Sequence, residues 1–433
     1  MNVLVVGAGG REHALVDALS RSPSVSRLLA APGNAGIAEQ AECVDVAATD
    51  VPGLVELARA RGIDLVVVGP EAPLVLGLVD ALEDAGVPAM GPRRAAAHLE
   101  GSKAFMKDLC RRHRIPTAAY RTFASPSEAI AYVGGLETWP AVVKADGLAA
   151  GKGVVVCGGP EEAVAAVRAI MLDRRFGEAG ERLVVEDFLQ GEELSITALV
   201  DGETVCVLEA SRDHKAAYDG DTGPNTGGMG AFSPSRLLTP RTYAQIEERI
   251  LLPTVHAMAR AERPYRGLLY AGLMITDDGP VVLEFNVRGG DPEMEVLLPR
   301  LRGDAGALFH AAATGGLDAV GEPEWTPRAS CGVVLADGGY PATTTPGRRI
   351  HGVERAREHE DVRVYHAGTR RRDGHLVTAG GRVLCVVALG DDLAHARARA
   401  YAAVDEIGFE GMRYRTDIGW RELPRSASGA AAG

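Results

Sequence analysis

The stretch VVLEFNVRGGDPEMEV, residues 281–296, sets Glu284 and Asn286 two positions apart in an apolar run. Strand side chains alternate, so these two face the same way. A carboxylate beside an amide oxygen is a hard-oxygen pair suited to Mg²⁺, whose remaining positions are filled by water and substrate phosphates. Arg288 beyond them could neutralise a developing phosphoryl charge. A polar-faced edge strand accounts for the same residues, and both readings stay open at this level.

A second group is KADGLAAGKGVVV, residues 144–156. A Walker A loop needs glycine, four residues, then Gly-Lys-Ser/Thr. Here Gly147 is one residue too close to Gly151-Lys152, and Gly153 stands where the hydroxyl belongs. The residues that follow are β-branched and strand-forming, so the loop reads as a hairpin turn rather than a helix start. Lys144 and Lys152 flank it and could grip adjacent phosphates as point charges; a solvated turn lysine is the other reading of Lys152.

Three further sites carry polar residues in suggestive places. GAGGREHAL, residues 7–15, joins a strand to a helix and so offers N–H groups to an anion. The dinucleotide fingerprint would need glycine at position 12, which is Glu12, and an acid where the second strand ends in Pro32, so NAD binding is not expected. A tight packing turn remains the alternative. VVEDFLQGEELS, residues 184–195, is either a hinge for an adenine edge, with Glu193 on the ribose, or a plain connection. His214 is either a base or a hydrogen-bonded structural residue.

The elements that must position these groups are legible in outline. Residues 1–101 alternate short apolar runs with amphipathic helices, the pattern of a Rossmann-like parallel α/β domain. From 102 to 328 the pattern changes to antiparallel strand pairs and helices, with a subdomain at about 120–190 and a long glycine-rich segment, DHKAAYDGDTGPNTGGMGAFSP, expected to be irregular and either functional or mobile. A helix is expected around YAQIEERILLPTVHAMARA. Residues 329–424 read as a small α+β domain and 425–433 as a frayed tail.

The chain has 433 residues, 46% hydrophobic and 24% charged, and a net charge of −12. That composition predicts a folded multidomain protein and argues against a general nucleic-acid binder. The six scattered cysteines read as reduced core residues, and without a leader pattern or a membrane-length apolar run the expected location is the cytoplasm.

Taken in order, GAGGREHAL, APGNAG, VVGPEAPLV, LEGSKAFMKD, KADGLAAGKGV, DTGPNTGGMGAFSP, LLYAGLMI, EFNVRGGDPE, VYHAGT, GGRVLCVVALG and TDIGWR resemble the phosphoribosylamine–glycine ligase family of ATP-grasp enzymes over nearly the whole chain. The resemblance implies ATP held between two α+β subdomains beneath a glycine-rich hairpin lid. By position it implies Lys103, Lys144, Gly151, Lys152 and Gly153 at the phosphates, Glu186 and Leu189 at adenine, Glu193 at ribose, and Glu284 with Asn286 at Mg²⁺ or Mn²⁺. Arg288, Lys152 and Asp213 are the implied catalytic residues. The implied substrate contacts are Gly9, Gly10, Arg11 and Glu12, with the sugar phosphate at this turn, then Asn34, Glu71, Asp213, Lys215, Thr226, Gly227, Gly228, Arg288 and Asp291. Val287, Gly289, Met294 and Glu295 depart from the Cys, Phe, Thr and Gln expected there, and LLYAGLMI carries no carboxylate for a third metal contact.

The implied reaction joins glycine to 5-phosphoribosylamine through glycyl phosphate, in purine biosynthesis, by a monomer or weak homodimer. No protein nucleophile is required, in keeping with the absence of a recognisable triad. The rivals are another ATP-grasp ligase or a carboxylase, which should lack DTGPNTGGMG, a nucleotide sensor without catalysis, and a nicotinamide dehydrogenase.

Overall fold

The computed structural model describes residues 1–148 and 153–423. The expectations placed on Gly151, Lys152 and the tail 425–433 fall outside the described residues. Aliphatic runs at Asn2–Gly7, Arg27–Pro32 and Leu65–Val68 form the centre of a parallel sheet, flanked by Glu42–Cys43 next to Arg27–Pro32 and Ala89–Met90 next to Leu65–Val68. Val3, Leu4, Val5 and Val6 are all fully buried, because a parallel sheet is covered on both faces. Leu4 and Val6 pack with residues of the helices Val51–Ala60 and Leu78–Asp84. Val3 and Val5 pack with the helices Gly10–Ser20 and Ala305–Thr314, so a helix from late in the chain closes the first sheet.

The candidate lid is an antiparallel sheet in the order Tyr120–Phe123, Leu183–Asp187, Ala141–Ala145, Val154–Cys157. Ala141–Ala145 and Val154–Cys157 pair as a hairpin across the glycine-lysine loop. The helices Pro126–Gly134 and Pro160–Val167 share its separate apolar core. Opposite it, Val205–Val207, Glu192–Val200, Gly267–Thr276 and Gly279–Asn286 form a second antiparallel sheet.

The glycine-rich segment departs from the expectation of irregularity. Ala216–Tyr218 and Thr222–Asn225 pair with each other, while Arg212–Asp213 and Gly230–Ser233 join the C-terminal sheet through Ala329–Asp337. That sheet continues through Arg382–Gly390 to Val362–His366. Glycine, asparagine and proline are poor strand formers, so these strands exist because a partner supplies the ladder, not because local preference does. The helix expected around residues 243–261 also differs in detail: Pro240–Ile246 and Leu252–Arg260 are joined by a π-helical turn, Glu247–Leu251. Pro253 has no N–H to continue the ladder, and the wider turn absorbs the loss.

All six cysteines are unpaired; Cys43 is exposed and Cys206 half-buried, so these two are not core residues. No helix among the described residues is long and apolar enough to cross a membrane.

Candidate active site

Between the lid, the opposing sheet and the N-terminal unit lies a cavity of about 630 Å³, the size of a nucleotide-scale ligand site. Glu284 and Asn286 line it together, as the two-residue alternation of their strand requires. On the neighbouring strand Gly272 lies opposite Glu284 and Tyr270 opposite Asn286. A Cβ on Gly272 would sit 3.2 Å from the Glu284 Cγ, so glycine there leaves the carboxylate its room. Among the described residues no three His, Cys, Asp or Glu side chains cluster as a complete metal cage. A two-oxygen donor set on the wall of a cavity of this size fits a cation that keeps water and phosphate ligands, as Mg²⁺ does.

Cations surround this pair. Lys215 Nζ lies 3.2 Å from a Glu193 oxygen and 3.5 Å from a Glu284 oxygen. Burial pushes the Glu284 carboxyl up, but Lys215, Lys144, Lys103 and Arg288 together outweigh it and hold the pKa at about 2. Lys103 donates to the Gly147 carbonyl of the lid loop (3.1 Å). The same loop is held by Asp146, which accepts from the Ser102 hydroxyl (3.0 Å) and the Ala104 N–H (2.8 Å). Burial lowers the Lys103 pKa. Arg288 places Nε 3.3 Å from Glu71 and Nη2 3.5 Å from Glu100.

Lys107 and Lys144 both reach Oε2 of Glu186, on the strand Leu183–Asp187, at 2.8 and 3.0 Å. Lys144 also donates to the Leu283 carbonyl (3.2 Å). Glu186 Oε1 is buried without a partner, and Glu186, Leu189, Glu193 and Gly153 all line the cavity. A buried acceptor with nothing to accept is costly, so a ligand donor is expected there.

The N-terminal turn is built as its packing alternative has it. Glu12 Oε2 accepts the Gly9 N–H at 2.6 Å, and a Cβ on Gly7, Gly9 or Gly69 would come within 2.6, 2.7 or 2.1 Å of the Glu12 side chain. The anion at this helix start is the chain's own carboxylate. A Cβ on Gly10 would meet Glu295 Oε1 at 2.5 Å, so Gly10 also serves packing. Asn34 donates to the Ala8 and His366 carbonyls and accepts from the Gly36 and Ile37 N–H groups, which uses its whole amide. Of this group Arg11 lines the cavity, whereas Gly9, Gly10, Glu12 and Asn34 do not.

Glu71, Asp213, Lys215, Thr226, Gly227 and Asp291 line the cavity as well; Gly228 does not. Thr226 Oγ1 accepts the Gly228 N–H (2.9 Å) and donates to the Lys215 carbonyl (2.9 Å), locking the loop. Burial, then the Glu293 charge, push the Asp213 carboxyl well above its ordinary range, and its Oδ1 has no partner. His214 is structural: its Nε2 accepts the Gly419 N–H (3.1 Å), and burial, then Arg415, lower its pKa to about 4.

Several lining residues were not anticipated. Tyr270 and Glu293 are linked through the Ser195 hydroxyl, 3.0 Å from each. Tyr340 accepts the Gly227 N–H (2.9 Å), and Arg382 donates to the carbonyls of Gly227 (2.6 Å) and Asp291 (2.7 Å). An arginine opening the apolar run RVLCVVALG was the available signal for Arg382. Glu100 is the acid of LEGSK. Glu295, a departure from the expected Gln, is buried beside Asp291; burial and that charge push its pKa well up.

Three family descriptions tile the chain: Phosphoribosylglycinamide synthetase N domain on residues 1–100, ATP-grasp (A) domain on 101–294 and C domain on 330–421. The phosphoribosylamine–glycine ligase of Vibrio vulnificus is 50% identical over 428 residues, 98% of this chain and 99% of the relative. That of Allochromatium vinosum is 51% identical over 431 residues, covering 99% and 100%. The crystal structure of phosphoribosylamine–glycine ligase from Thermotoga maritima superimposes with a TM-score of 0.81 at 32% identity, covering 96% of this chain and 100% of that one. The biotin carboxylase domain of Hydrogenobacter thermophilus 2-oxoglutarate carboxylase, at 18% identity and TM-score 0.71, covering 95% and 91%, shares the fold. With three consecutive family matches and half of its residues identical to full-length relatives, the chain belongs to the phosphoribosylglycinamide synthetase family of ATP-grasp ligases.

Proposed function

We propose that this ligase joins glycine to 5-phosphoribosylamine with ATP, and that the cavity over Glu284 and Asn286 is where it does so. The observation that carries the site is the convergence of Lys103, Lys144, Lys215 and Arg288 around that oxygen pair, on one cavity. A free carboxylate does not acylate an amine. A glycine oxygen therefore attacks the γ-phosphorus, the bond to the β,γ-bridging oxygen breaks, and glycyl phosphate and ADP form. The amine of 5-phosphoribosylamine then attacks the carbonyl carbon. The bond to the phosphate oxygen breaks, the nitrogen gives up a proton, and glycinamide ribonucleotide and phosphate leave.

Bound Mg²⁺ or Mn²⁺ at Glu284 and Asn286 supplies charge neutralisation on phosphate oxygens. The chain's own part is positioning and electrostatics. Lys103 and Lys144 face the phosphates. Glu186 Oε1 suits a nucleobase amino group and Glu193 the ribose hydroxyls. Arg288 meets the charge that develops on the transferring group. Arg11, Glu71 and Asp291 face the sugar substrate. Asp213, with its pKa raised, is a stronger base than an ordinary carboxylate once ionised, and suits the proton lost by the amine.

The test is ADP release in the presence of ATP, Mg²⁺, glycine and phosphoribosylamine. Turnover that requires both glycine and the amine is expected; ADP release indifferent to glycine would reject the reading.

A further inference from the structure

Glu100, at the end of the helix Arg94–Gly101, is a buried acid to which the reaction above gives no part. Its carboxylate touches three consecutive residues, at the end of the candidate metal strand and in the turn that follows it. Oε2 accepts the Val287 N–H at 2.7 Å. Oε1 lies 3.5 Å from Arg288 Nη2. In the amide orientation that satisfies its neighbours, Asn286 Nδ2 donates to the same Oε1 at 3.1 Å and to the Phe285 carbonyl at 3.3 Å.

An asparagine amide has one accepting end and one donating end, and only the accepting end binds a cation. Two acceptors, Glu100 Oε1 and the Phe285 carbonyl, claim the donating end. We infer that Glu100 is a positioning residue that fixes the Asn286 amide so that Oδ1, not Nδ2, is turned to the cation; this rests on the reading of Glu284 and Asn286 as the metal ligands. A carboxylate is needed because both of its oxygens accept. Glutamine has one oxygen for two donors, so either the Val287 N–H or the Asn286 amide would face an –NH₂ group.

The test is calorimetric binding of ADP to the full chain, with and without Mg²⁺. E100Q should weaken the Mg²⁺-dependent part of binding about tenfold, the lower end for loss of a residue that orients a metal ligand, and change Mg²⁺-free binding by much less than that. In an N286D background either terminal atom is an oxygen, and the amide introduced by E100Q can donate to it. There E100Q should change Mg²⁺-dependent binding by less than about twofold. An equal loss in both backgrounds, or no loss in the Asn286 background, would overturn the inference. Should E100Q not fold, E100D, whose shorter side chain withdraws from Asn286, is measured in its place with the same expectation. E284Q separates the two levels: if it abolishes Mg²⁺-dependent binding while E100Q leaves it intact, the positioning role fails and the metal site stands. If E284Q has no effect, both fail.

Discussion

Arg382 Nη2 lies 3.0 Å from Asp291 Oδ1, so a side chain from the C-terminal sheet grips the turn that follows the candidate metal strand. Its Nη1 donates to the Gly227 carbonyl at the same time. Two cavity-lining loops from different segments are thereby set at a fixed separation. R382A should lower kcat/KM for the amine on the order of 10²-fold, the scale of a misplacement of about 1 Å, with a far-ultraviolet circular dichroism spectrum like that of the parent. R382K should recover part of this, because an ammonium cannot reproduce the fork.

Glu284 holds its charge against burial because four cations face it. E284Q should preserve the fold and lower metal-dependent turnover by on the order of 10² or more. Steady-state rates across a Mg²⁺ titration check this, and unchanged rates would remove the residue from the site.

Asp213 is assigned to the second chemical step, since the attack of a glycine carboxylate on ATP releases no proton. D213N should therefore slow amide formation about 10²- to 10⁴-fold while ADP still forms in the first turnover. Rapid-quench measurement of ADP and of glycinamide ribonucleotide in one experiment separates the two. Equal slowing of both products would exclude this role.

Three histidines are buried uncharged. The backbone N–H of His366 is donated to His13 Nδ1 at 2.7 Å. Burial, then Arg357, hold His13 at about 4, and burial, then His13, hold His366 at about 2, with Arg357 and Arg371 adding to the effect. His214 is at about 4, beside Arg415, with Asp221 and Asp417 partly offsetting it. The unfolded chain takes up these protons near pH 6.5 and the folded chain does not, so the unfolded state binds more protons below that pH. Stability is present above about 6.5 and falls by about 1.4 kcal/mol per pH unit per histidine below it. For His13 and His214 the loss levels off near 4; for His366 it continues lower. Melting temperature should drop between pH 6.5 and 4.5, and H13Q should make the drop shallower. An identical slope in H13Q would reject the contribution of His13.

Legibility in the sequence followed the range of the forces involved. The run Val3–Val6 declares a buried parallel strand because its residues are apolar without alternation, and Glu284 with Asn286 declare a shared face because alternation is local. The strand Gly230–Ser233 declares nothing, since its ladder comes from Ala329–Asp337, about a hundred residues away, and Arg212–Asp213 in turn pairs onto Gly230–Ser233. Arg382 and Tyr340 escaped for the same reason: their meaning lies in contacts with Gly227 and Asp291. At GAGGREHAL the glycines were readable but their beneficiary was not. Gly7 and Gly9 make space for the Glu12 side chain, and a glycine turn built for an internal carboxylate spells the same as one built for a phosphate.

The sheet that takes in Gly230–Ser233 on one side of Ala329–Asp337 and Arg382–Gly390 on the other bears on how this polypeptide can be divided. A fragment ending at residue 328 would leave one strand edge bare and a fragment starting at 329 would leave its counterpart bare, and bare edges invite aggregation. The final quarter is therefore not a detachable module. Grafting it from a relative would also import a new foundation for the loop bearing Asp213 and Thr226, so chimaeras cut at this boundary should differ in how they handle substrate even where every grafted residue is remote from it.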